Sequence, residues 1–173
     1  MNRRRVVFAG VAAAAAAVGA GVAWHRSRPD AATSAAAELW AMRFDQPGGG
    51  RLDMAALRGR PLLLNFWATW CPPCVSELPL LDRFHRDQPS GGWQVAGLAA
   101  DNLAPVLAFL AKHPVSFPIG LAGAGGIELA RQLGNSSGAL PYTAVFDRSG
   151  ALVQRKLGVI EAVDLRKWVA AGG

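Results

Sequence analysis

The residue pattern predicts a layered α/β domain, and three observations carry that prediction. Apolar runs at 62–67 and 93–99 read as buried strands. Segments with helical start and stop signals alternate with them. Near the end, two strand-like runs at 142–146 and 151–156 flank Asp147-Arg148-Ser149-Gly150, which has hairpin-turn chemistry, and a helical stretch follows.

The elements follow in chain order, beginning with an address. Arg3-Arg4-Arg5 precede Val6 to Ala23, eighteen residues without a charged or polar side chain, nine of them Ala. That is a signal peptide or a signal anchor over residues 1–24. Such a helix spans roughly 27 Å, just short of the ~30 Å hydrocarbon core. Gly21-Val22-Ala23 offers a small-x-small cleavage site, so cleaved signal and retained anchor both stand. Either places the C-terminal domain across the membrane, because a positive leading region stays inside. Export by the Sec or the twin-arginine route is left open. Residues 25–37, with Pro29, Asp30 and a run of Ala, Ser and Thr, read as a linker, and 38–173 as the folded domain.

Within that domain, 39–44 is a candidate short strand and Pro47-Gly48-Gly49-Gly50 a turn. After the strand at 62–67 a helix is expected over 72–87, with Pro72 tolerated in its first turn and Pro79 kinking it. A helix over 103–112 follows the second strand, capped by Asp101 or Asn102 and stopped before Pro114. A short strand at 117–121 and a helix at 126–133, closed by Gly134, lead to the hairpin. The last helix, 161–171, carries Leu165, Trp168 and Val169 on one face.

Charge narrows the function classes. The chain of 173 residues has a formal net charge of +6. From Glu38 onward, however, 13 Lys/Arg face 11 Asp/Glu, and the rest of the excess lies in the first 30 residues. A nucleic-acid binder carries its basic stripe on the folded domain, so no nucleic-acid partner is expected.

Trp70-Cys71-Pro72-Pro73-Cys74 falls where a buried strand meets a helix, and these are the only two cysteines. The spacing puts Cys71 at the helix start and Cys74 one turn on. Four backbone N–H groups and the positive end of the helix dipole are expected to point toward Cys71 and favour its thiolate. Cys71 is then the exposed attacking sulfur and Cys74 the resolving one. A static staple is disfavoured, because so short a loop gains little from closure. Zinc is disfavoured too, since only His25, His85 and His113 are available to complete four ligands. No metal site and no cofactor beyond the redox-active Cys71–Cys74 pair is expected. Glu77, three residues after Cys74, shares its helix face. A Glu in a helix is ordinarily solvated.

The run Asn65-Phe66-Trp67-Ala68-Thr69-Trp70-Cys71-Pro72-Pro73-Cys74, followed by Glu77-Leu78-Pro79, resembles the membrane-tethered thioredoxin-like proteins of bacteria, the TlpA/ResA group. Leu140-Pro141-Tyr142-Thr143 ahead of the hairpin adds to the resemblance, which covers the chain from about Leu39 onward. It implies a thioredoxin fold: a central mixed sheet flanked by helices, with an N-terminal strand or hairpin extension. It implies that Glu77 tunes proton transfer, that the Leu140–Pro141 bond is cis and faces the cysteines, and that Trp70, Pro72, Leu140 and Pro141 contact substrate. The implied function is an extracytoplasmic, periplasmic thiol–disulfide oxidoreductase acting in cytochrome c maturation. The implied partners are disulfide-containing secreted proteins such as apocytochrome c and a membrane electron donor, with a tie to the inner membrane if the N-terminal segment stays uncleaved. A monomer is expected. Two other readings stay open: a disulfide-forming oxidant, and a copper-binding metallochaperone on the same fold, since two thiolates suit Cu(I).

Overall fold

The structure, a computed structural model, describes residues 31–172. The signal segment 1–24 and the first part of the expected linker lie outside the described residues.

Strand β3 (Leu62–Trp67) is buried at all six positions, which requires cover on both faces. Its even residues Leu62, Leu64 and Phe66 pack with Leu98, Ala144 and Phe146 beneath Leu39, Trp40, Leu129 and Leu133. Its odd residues Leu63 and Trp67 pack with Val95, Ala99 and Val145 beneath Cys74, Leu78, Leu81, Val106 and Leu165. Two apolar layers thus sandwich one sheet.

The other strands are β1 (Arg43–Asp45), β2 (Arg51–Asp53), β4 (Gln94–Ala99), β5 (Ile119–Leu121), β6 (Tyr142–Phe146) and β7 (Leu152–Leu157). The helices are α1 (Ala31–Leu39), α2 (Pro72–Arg86), α3 (Leu103–Lys112), α4 (Gly125–Gln132) and α5 (Ala162–Ala170), with a 3-10 turn at Met54–Leu57. The strand order is β2-β1-β5-β4-β3-β6-β7. β3, β4 and β5 run parallel, while β6 and β7 and the β1–β2 hairpin add antiparallel pairs. This is the expected mixed sheet with its N-terminal hairpin extension. The β6–β7 turn needs Gly150, whose φ is +87° and whose missing Cβ leaves room for the Trp40 indole N–H to reach its carbonyl at 2.9 Å.

Two expectations are corrected. Residues 31–37, expected to be linker, belong to α1, and the compact unit starts at Ala31 rather than Glu38. Ala32, Ala35, Ala36, Leu39 and Trp40 recur with helical spacing and are buried, so small side chains make the contact there. The strand expected at 39–44 is confined to Arg43–Asp45, because Leu39 and Trp40 finish the helix and its turn. In α5, Leu165 and Val169 share a face as expected: both line an apolar groove of about 380 Å³ between α2 and α5, Leu165 buried and Val169 at the rim with 43% exposure.

Candidate active site

The chain leaves β3 at Trp67 and enters α2 at Pro72, so Ala68 to Cys71 turns over the end of the sheet. Asp101, just past β4, anchors that turn. Its carboxylate accepts the Thr69 N–H at 3.1 Å and the Thr69 hydroxyl at 2.5 Å, and its other oxygen takes the Asn102 N–H at 2.8 Å. Burial pushes Asp101 up, but these hydrogen bonds outweigh it and hold the group below the usual carboxylate range. Asp101 therefore serves the cysteine turn. Asn102 takes the cap position of α3 without a side-chain bond.

Cys71 is the N-cap of α2 and is disulfide-bonded to Cys74, with the Cα atoms 5.3 Å apart. Two expectations need correction here. The helix start does not offer four N–H groups, because Pro72 and Pro73 have none and the Cys71 N–H is taken by the Ala68 carbonyl at 3.2 Å. The Cys74 N–H is the first-turn donor that remains. Cys71 is also not an exposed residue: it is 5% exposed against 0% for Cys74, because both pack into the apolar layer between the sheet and α2. Trp70 beside it is 60% exposed, and Pro72 and Pro73 are exposed as well.

Leu140–Pro141 is a cis peptide bond, as the resemblance implied. β6 lies antiparallel to β3 with Tyr142 opposite Phe66, so Pro141 sits at the same end of the sheet as the cysteine turn. Leu140 packs against the apolar layer that contains both cysteines. The Pro141 carbonyl accepts the Gly158 N–H at 2.9 Å and ties the loop after β7 to this end.

Glu77 is 2% exposed, so it is not a solvated helix residue. Oε1 accepts the Asn65 side-chain N–H at 2.7 Å and Oε2 accepts the Ile160 backbone N–H at 2.6 Å. Burial pushes the carboxyl above the usual carboxylate range, and the two hydrogen bonds and the Lys156 charge offset only part of that. The structure thus brings Cys71, Cys74 and Glu77 onto the first two turns of one helix, with Trp70, Pro72 and the Leu140–Pro141 turn at the same end of the sheet.

Sequence reasoning missed Asn65, Thr143, Ile160 and Asp101 as parts of this site. Asn65 was legible as the one polar residue in the run 62–67. Ile160 acts through its backbone, and its identity carries no signal.

The Redoxin family model matches residues 31–167, nearly the whole described chain. The chain belongs to the Redoxin family. The match begins at the first residue of α1, in agreement with the revised boundary. Among curated relatives, a thiol-disulfide oxidoreductase ResA of Bacillus cereus is 29% identical over 112 residues, 64% of this chain and 62% of that protein. The alignment therefore spans about three-fifths of that relative's length. The sporulation thiol-disulfide oxidoreductase A of Bacillus subtilis (strain 168) is 28% identical over 115 residues, 64% of this chain and 67% of that one. Among solved structures, the thioredoxin-related protein from Neisseria meningitidis serogroup B superposes with a TM-score of 0.67 at 27% identity, covering 76% of this chain and 98% of that one. The fold is the thioredoxin fold.

Proposed function

We propose that this chain is an extracytoplasmic thiol–disulfide oxidoreductase that reduces protein disulfides through Cys71 and Cys74. The observation that carries the reading is the bonded pair spanning the start of α2, with a buried carboxylate one turn further on. The pair itself carries the electrons, and no other cofactor is assigned. The names of the ResA and sporulation relatives support the same activity.

In the reduced enzyme the Cys71 thiolate attacks one sulfur of a substrate disulfide. That bond breaks, the first substrate sulfur leaves as a thiolate that takes up a proton, and a mixed disulfide forms on Cys71. Cys74 then gives its proton to the Glu77 carboxylate and attacks the Cys71 sulfur. The second substrate sulfur leaves and is protonated. The pair has lost two electrons and the substrate has gained two. Trp70, Pro72 and the Leu140–Pro141 turn flank the attacking sulfur. A substrate segment lies along that turn and pairs with the Leu140 backbone as a short added strand.

An oxidising compartment requires a membrane electron donor to restore the dithiol. Secreted cysteine proteins such as apocytochrome c fit as substrates, and residues 1–24 supply the address. Among the described residues no helix is long and apolar enough to cross a membrane. With dithiothreitol present, the full chain is expected to reduce insulin disulfides, and Cys71→Ser is expected to lose this activity. Wild-type turnover in Cys71→Ser overturns the reading. A reporter fused after Gly173 that works only in the cytoplasm overturns the location.

A further inference from the structure

Three strands place polar side chains in one row across the sheet. Asn65 of β3 pairs with Thr143 of β6, and Thr143 pairs with Lys156 of β7. Directly paired residues share a face. Leu63, Trp67 and Val145, two positions away along β3 and β6, belong to the layer beneath α2, so the row faces Glu77. Asn65 and Thr143 are both 0% exposed. A buried amide is costly unless its groups are bonded, and an apolar residue in its place avoids that cost.

Asn65 meets the cost unevenly. Its side-chain nitrogen donates to Glu77 Oε1 at 2.7 Å and to Thr143 Oγ1 at 3.0 Å, so both N–H bonds are used. Its Oδ1 is buried and has no hydrogen-bond partner. The amide is oriented for its two donors at the expense of its acceptor. One donor is fixed by a hydroxyl and the other meets a carboxylate, which is the arrangement that holds an anion in place.

We propose that Asn65, held by Thr143, is a positioning residue that keeps the buried Glu77 carboxylate ionised and oriented to accept the Cys74 proton. The proposal rests on the role given to Glu77 above. The ionised carboxylate receives an N–H at each oxygen, from Asn65 and from Ile160. A protonated Glu77 has to set its new O–H against one of those donors. Removing the Asn65 donor therefore favours the protonated acid. The charged groups facing Glu77 are Lys156 of β7, which is itself paired with Asp164 at the start of α5, and Cys74 on the same face of α2 once the disulfide is opened. Lys156 is partly exposed and shared with Asp164, so the direct N–H bond is the nearer control.

The experiment is a carboxyl carbon NMR titration of Glu77 in the full chain with its disulfide intact. In Asn65→Leu the midpoint is expected to move up, with the ratio of ionised to protonated Glu77 at fixed pH falling about tenfold, the usual size for losing a hydrogen bond to a charged group. Thr143→Val, close in shape to the native residue, is expected to move it in the same direction by less. The pH profile of insulin reduction is expected to follow Glu77 upward in Asn65→Leu. In a Glu77→Gln background the same substitution is expected to leave the profile where it was. A folded Asn65→Leu protein with an unchanged Glu77 midpoint overturns the proposal. If that variant does not fold, an unchanged midpoint in Thr143→Val does so. Failure of the wild-type chain on insulin overturns the proposed function, while the titration in the oxidised chain judges Asn65 separately.

Discussion

Glu77 combines 2% exposure with two N–H donors, and burial still pushes its carboxyl above the usual range. This has a consequence for stability. A carboxyl raised in the folded state binds more protons folded than unfolded between its ordinary and its raised titration range. Stability is therefore fully present below the ordinary carboxylate range and is lost as pH rises through the raised one. Glu77→Gln removes that loss. Urea unfolding of the oxidised chain at several pH values is expected to show the variant gaining on wild type as pH rises through this window. Parallel stability curves would mean that Glu77 titrates alike in both states. Which residues form the site was partly legible. The spacing of Cys71, Cys74 and Glu77 is local, so one helix places all three. Asn65 and the Ile160 N–H reach Glu77 from a strand and a distant loop, with Thr143 of β6 bonded to Asn65, and only the tertiary fold brings them together. The two prolines after Cys71 also limit how far a generic helix start describes this one.

At the scale of elements, the strands 62–67 and 142–146 and the helix 103–112 were readable to the residue. Each is an apolar run or stripe with Gly, Pro or capping residues at its ends. α1 was not readable as structure, because Ala, Thr and Ser dominate it and no large stripe announces a buried face. Its contact nonetheless ends on Leu39, at 0% exposure, and on Trp40, whose indole bonds the Gly150 carbonyl. Leu39→Ala is expected to destabilise the domain by about 2–5 kcal/mol, the range for emptying a buried leucine site. A chain begun at Glu38 is expected to melt below one begun at Ala31. Equal melting temperatures by circular dichroism would remove α1 from the core. β4 carries a similar constraint. A Cβ on Gly97 would lie 2.6 Å from Ile119 Cδ1 and 3.1 Å from the Trp67 indole nitrogen, so Gly97→Ala is expected to cost about 1–3 kcal/mol by overpacking.

For the whole molecule, the sheet brings the β3–α2 turn, the start of β6 and the loop after β7 to one end. Cys71, Cys74, Glu77 and the Leu140–Pro141 turn are gathered there. The alternation of strands and helices conveyed this layout because parallel strands with helical crossovers leave few other arrangements. The pair is expected to be reversibly reducible by glutathione, and its equilibrium position decides between reductant and oxidant. Trapping tests the roles of the two sulfurs most directly. The reduced Cys74→Ser and Cys71→Ser proteins are each mixed with a disulfide-bonded peptide, and the adducts are mapped by mass spectrometry. Cys74→Ser is expected to accumulate a stable mixed disulfide on Cys71, and Cys71→Ser is expected to form little or none. Equal trapping on Cys74 in the Cys71→Ser protein would contradict the assignment of Cys71 as the attacking sulfur.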